Sequence, residues 1–249
     1  MVIMEESENN NSKYYNDLDT NFKAACELCD NEYTHAELLN MLKHGNIPQK
    51  QIAALKFDNI NDKNDAQALL NNLTGCDGKI REAIALKISS LLKNNENNRM
   101  IFAEISPQIF ADATIDINAN ICRLIVDSAT MLKKYNRFSQ IYTEKIVSFI
   151  NESLAELEKF IFRDKKYIIN KQLFKLYWCL EALSEFYPFT DEKELEKILN
   201  ICSEQQEYTI REKTAQIILK SGKFSDLKEK LSNDENYYVK QALNHPCLF

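Results

Sequence analysis

One short phrase recurs along this chain. Ile80-Arg81-Glu82 opens an apolar run, Ile210-Arg211-Glu212 opens another, and Val239-Lys240-Gln241-Ala242-Leu243 is a looser variant near the end of the sequence. Recurrence of this kind restricts the fold severely, because each copy is a helical unit that cannot bury its own apolar face and must stack on the next. The clearest internal copy sets Lys50-Gln51-Ile52-Ala53-Ala54-Leu55-Lys56 against Arg81-Glu82-Ala83-Ile84-Ala85-Leu86-Lys87, a shift of 31 residues. Between the two copies, Ala66, Leu69, Leu70 and Leu73 fall on one helical stripe, and Gly75 and Gly78 mark a turn. Two helices per roughly 30 to 45 residues is the period of a helical-hairpin repeat.

Composition points the same way. Four Gly and four Pro in 249 residues leave little material for the turns of a strand-rich fold. Further helices follow from periodicity: a shorter one around Ile101 to Phe110 broken by Pro107, another opening at Asn120, long ones over Tyr142 to Phe160 and Tyr167 to Tyr187, one capped at Thr190-Asp191 after Pro188, and then the last two hairpins with Gly222 as the turn between them. Residues 1–17 are polar and low in complexity and read as a disordered tail, followed by a single repeat domain over 18–249. The acidic start Glu5-Glu6 precludes a signal-peptide apolar region, and no run approaches the ~18 apolar residues of a membrane span. With seven cysteines, an odd number and widely scattered, the expectation is a cytoplasmic protein with reduced thiols.

The phrase D-x-x-I-R-E-x-x-A, seen from Asp77 to Ala85 and approximately from Glu207 to Ala215, resembles the second helix of HEAT repeats, as does Asp234 to Leu243. The resemblance covers about residues 35–245, and the stretch from about 133 to 190 departs from the phrase. It implies an all-α, right-handed solenoid of about five or six HEAT-like hairpins. It also implies a ladder of Asp and Arg side chains between neighbouring units, with Arg81, Arg123 and Arg211 as its arginines. HEAT-like arrays are best known as binding scaffolds, and some resemble enzymes such as alkylpurine DNA glycosylases, so function must come from residues.

No catalytic residues and no cofactor emerge from those residues. Cys26 and Cys29 with His35 and His44 have the donors for zinc, yet both cysteines lie on a predicted helix beside Ala24, Ala25 and Leu28, where core packing is expected. Glu32 and His35 have the spacing of a di-iron half-site, but His44 and His245 lack a Glu three residues before them. Gly75-Cys76-Asp77-Gly78 lacks the strand and the Lys-Ser/Thr pair of a phosphate loop. Trp178, within Leu176-Tyr177-Trp178-Cys179-Leu180, reads as core.

Charge carries more information. The second helices hold Lys50, Lys56, Arg81, Lys87, Arg123, Lys171, Lys175, Arg211 and Lys240, while the first helices are rich in acid, from Asp62 and Asp65 to Asp226 and Glu229. These cations form a candidate partner-binding ridge. The expected function is a non-catalytic protein-interaction scaffold or adaptor that binds a protein or peptide partner along the second helices. The alternative is a nucleic-acid-binding helical-repeat protein resembling alkylpurine DNA glycosylases. The net charge of −6 and the six arginines weigh against nucleic acid. An apolar tip, Cys247-Leu248-Phe249, is expected to cap the array or pair with another copy.

Overall fold

A computed structural model describes residues 20, 22–93, 95–159 and 166–244, so the polar tail, His245 and the tip Cys247-Leu248-Phe249 lie outside the described residues. Among these residues every regular element is a helix. The fold is an all-α array of stacked, HEAT-like helical hairpins. Two compact units divide it, one running to Asn98 and one beginning at Arg99.

The first unit opens with α1 (22–29), followed by the hairpin α2 (His35–His44) and α3 (Ile47–Lys56), and then the hairpin α4 (Lys63–Leu70) and α5 (Gly78–Lys93). Local chemistry sets the starts. Thr34 and Glu37 form a reciprocal capping box on α2, Asn46 and Gln49 form one on α3, and the Asp62 carboxylate accepts from the backbone N–H groups of Asn64 and Asp65 on α4. First helix stacks on first helix, α2 against α4, and second on second, α3 against α5. Each hairpin therefore borrows its neighbour's apolar face, and Leu42, Ala53, Ala54, Phe57, Leu69, Leu70, Ile84 and Ile88 lose all or nearly all contact with solvent.

The second unit repeats the construction. Helix α6 (Glu96–Glu104) leads to the hairpins α7 (Pro107–Thr114) with α8 (Ala119–Met131), α9 (Asn136–Lys159) with α10 (Lys166–Phe186), α11 (Glu192–Ser203) with α12 (Tyr208–Ser221), and α13 (Ser225–Ser232) with α14 (Tyr237–Ala242). Here α8, α10, α12 and α14 stack in succession, while α7 packs on α9 and α11 on α13. The stretch that departs from the repeat phrase thus holds one hairpin with longer helices. Pro107 begins a helix at its first position rather than breaking one: Ser106, at φ 32°, turns the chain between α6 and α7. An aromatic spine holds this unit's core, from Phe102 through Phe110, Phe138 and Tyr142 to Phe186, with ring centroids 4.9 to 6.4 Å apart. The Tyr142 hydroxyl, fully buried, lies 2.8 Å from Thr114 Oγ1, which itself donates to the Phe110 carbonyl, so Tyr142 is the donor to Thr114.

Candidate partner-binding face

The second helices carry the repeat phrase, and in the structure Lys50, Lys56, Lys87 and Arg211 on them link one hairpin to its neighbour. Arg211 on α12 is the clearest. Its Nε donates to Asp234 Oδ2 at 2.7 Å and its Nη2 to Asp234 Oδ1 at 3.0 Å, a two-pronged pair across to the loop before α14. Its Nη1 also donates to the carbonyls of Gln205 and Gln206, at 2.7 and 2.9 Å. The guanidinium beside it holds the Asp234 carboxyl below the usual carboxylate range. Arg81 makes the matching contact in the first unit: its Nη1 donates to the Cys76 carbonyl, five residues back, as Arg211 does to Gln206.

The lysines act similarly. Lys50 Nζ donates to Asn72 Oδ1 at 2.8 Å, and the buried Asn72 amide donates in turn to the Leu42 and Ala68 carbonyls. Lys56 and Lys87, equivalent under the 31-residue shift, both reach back along the array, to the Asn31 carbonyl at 2.8 Å and to Asp58 at 3.0 Å respectively. Lys175 sits half-buried over the Phe149 ring, 5.9 Å from its centre, with Lys145 on the same ring at 4.6 Å. Lys240 is half-buried on α14 and adds to the field that lowers Asp234. Arg123 and Lys171 are exposed, Arg123 donating to Asn120 Oδ1 at 3.3 Å.

The same helices also leave large apolar residues to solvent. Leu55 on α3 and Leu86 on α5 occupy equivalent repeat positions and are 52% and 48% exposed. Beside Leu55, a groove of about 250 Å³ is lined by Phe22 and Ala25 of α1, by Ile47, Gln51 and Ile52 of α3, and by Asp77 and Lys79. In the second unit Tyr208, Tyr237 and Tyr238 open α12 and α14 and stand in the open. Sequence reasoning passes over all of these because it attends to buried stripes and to charge. The available signal is a large apolar residue just off the stripe, as in Ala54-Leu55-Lys56 and Ala85-Leu86-Lys87.

The remaining candidates resolve individually. Cys26 and Cys29, expected in the core, are exposed on α1, whose half-buried side is Ala24, Ala25 and Leu28. His35 begins α2 with its Nε2 2.9 Å from the buried Asp65 carboxylate and its ring 4.8 Å from Phe57, and His44 is exposed at the end of the same helix. Among the described residues no three His, Cys, Asp or Glu side chains converge to hold a metal. Burial pushes the thiols of Cys122 and Cys202 up to about 12, which removes them as thiolate nucleophiles near neutral pH. Trp178 is half-buried against Phe174 and Tyr177, and its indole N–H is buried without a hydrogen-bond partner. Lys213 is buried, held by the Glu181 carboxylate, by Gln216 Oε1 at 3.1 Å and over the Tyr177 ring at 5.0 Å. The arrangement positions charged groups for stacking and leaves apolar surface for contact. No helix among the described residues is long and apolar enough to cross a membrane.

Comparison of the sequence with family models and with curated proteins finds no match. Among solved structures the chain is similar to the archaeal HEAT-like repeats protein from Thermococcus onnurineus NA1, at 16% identity and a TM-score of 0.44 over 86% of this chain and 79% of that one. The fold described here stands on this chain's own two-layer stacking and on the Arg211–Asp234 link between successive second helices.

Proposed function

We propose that the chain is a non-catalytic protein-interaction scaffold that receives a protein partner on the exposed face of its second helices. One observation carries this reading: the internal repeat sets Leu55 and Leu86 at equivalent positions of adjacent second helices and leaves both about half exposed. A chain that buries Leu42, Leu69, Leu70, Leu73 and Leu92 completely has the means to hide leucines, and a repeated exposed pair is the pattern of a contact surface. The thiols fit a protein of a reducing compartment such as the cytoplasm, since the six cysteines among the described residues are all unpaired. A phosphate-binding use of these helices is disfavoured by the engagement of Lys56, Lys87 and Arg211 with the chain's own carbonyls and carboxylates.

The test is co-purification from native lysate, with and without nuclease, comparing wild type with the double variant Leu55→Asp/Leu86→Asp. Both positions face solvent, so the variant is expected to fold, as a matching melting midpoint would check. The expected result is a protein that co-purifies with wild type, survives nuclease and falls at least about tenfold with the variant. Recovery of nucleic acid alone, lost steeply with added salt, would overturn the scaffold reading in favour of the nucleic-acid one.

A further inference from the structure

At the starts of α12 and α14 three tyrosines meet in solvent. The Tyr208 and Tyr238 rings lie 6.1 Å apart at 29°, in a stacked arrangement, and Tyr237 meets Tyr238 edge-on at 5.7 Å. Tyr237 and Tyr238 are 66% and 57% exposed, a large area of ring face in a unit whose Phe110, Phe138 and Tyr142 are fully buried. The Tyr208 to Tyr238 contact bridges the successive second helices α12 and α14, and the Arg211–Asp234 pair joins α12 to the loop before α14.

The electrostatic surroundings are negative. Glu207 and Glu235 stand close enough to Arg211 to act on it, and Asp234 is already paired with it. Arg211 and Lys240 stand against three carboxylates, Asp234, Glu207 and Glu235, which leaves one net negative charge at this surface. Elsewhere the chain lays lysines over its own aromatic rings, Lys213 over Tyr177 at 5.0 Å and Lys56 over Tyr33 at 5.9 Å. Among the described residues no lysine or arginine lies over Tyr208, Tyr237 or Tyr238. Electron-rich ring faces beside carboxylates attract a planar cation, which stacks on the ring while its N–H groups reach the carboxylate oxygens. Phosphate and acidic peptide would be repelled by the same groups.

We propose that Tyr208, Tyr237 and Tyr238, with Glu207 and Glu235, form a docking surface for an arginine-bearing basic segment of a protein partner. This rests on the scaffold reading and names the chemistry of the partner at the second helices of the second unit. Arginine is favoured over lysine because the guanidinium plane matches both the rings and the carboxylates, whereas an ammonium matches only the charge.

The test titrates the full chain into a fluorescein-labelled nine-residue peptide of alternating Arg and Gly, read by anisotropy, beside peptides with Lys, citrulline or Glu in place of Arg. The Arg peptide should bind at least about fivefold tighter than the Lys peptide and more than about tenfold tighter than the citrulline one. Tyr208→Leu/Tyr238→Leu, which keeps apolar area but removes the ring faces, should weaken the Arg peptide about tenfold, and Tyr208→Phe/Tyr238→Phe should leave it nearly unchanged. Glu207→Gln/Glu235→Gln should weaken it and flatten its salt dependence. Equal binding of the Arg and Lys peptides, or indifference to the Leu variant in a protein with an unchanged melting midpoint, would overturn the proposal. If the Arg peptide fails while a lysate partner is still lost with Leu55→Asp/Leu86→Asp, the basic-segment inference is overturned and the scaffold reading stands.

Discussion

At Arg211 the repeat phrase shows what it is for. Arginine at this position is long enough to span from α12 to the loop before α14, and its planar fork meets both oxygens of Asp234 while its remaining donors satisfy two carbonyls at the end of the preceding turn. The side chains are only 10% and 8% exposed, so removing one partner strands a charge away from water. Asp234→Ala should therefore cost about 3 kcal/mol of stability, read by urea unfolding. The pH dependence follows from the lowered Asp234 value. A carboxyl depressed in the folded state stabilises above the unfolded value, near about 3.9, and that contribution fades as pH falls through the lower folded value. Wild type and Asp234→Asn should thus differ most near neutrality and converge below about pH 4. A gap that persists unchanged into acid would show that the ion pair is not the source.

At the scale of elements, much was legible in the sequence because helix starts and stops are written locally. Gly222 ends α12 in the left-handed region at φ 65°, and its N–H closes on the Ile218 carbonyl. An added Cβ there would meet no neighbouring atom within 4 Å, so Gly222→Ala isolates the backbone effect and should cost about 1 kcal/mol in a thermal or urea melt. The alternation of first and second helices was readable for the same reason: it depends on spacing within one segment. The partners of the cations were not. Lys87 finds Asp58 and Lys220 finds Glu185 only because stacking sets the ends of successive second helices side by side, and sequence spacing does not contain that distance. Likewise Cys26 and Cys29 share a helical pattern with Ala25 and Leu28 but fall just off the packed side of α1, a difference of one residue's rotation.

For the whole molecule, the consequence is a division of labour between polar and apolar groups on the second helices. Charged side chains join one hairpin to the next, and leucines and tyrosines face outward, at Leu55 and Leu86 in one unit and at Tyr208, Tyr237 and Tyr238 in the other. A net charge of −6 keeps such a surface soluble and favours partners of opposite sign. Burial raises the thiols of Cys122 and Cys202, and His35 pairs with Asp65. The most direct measurement places a photo-cross-linking amino acid in cells at Leu55 or Leu86 on the second helices, and separately at Lys63 on the first-helix layer of the same unit. The account predicts discrete protein adducts from Leu55 and Leu86 and few or none from Lys63. Adducts from Lys63 alone, or adducts to nucleic acid from all three, would contradict it.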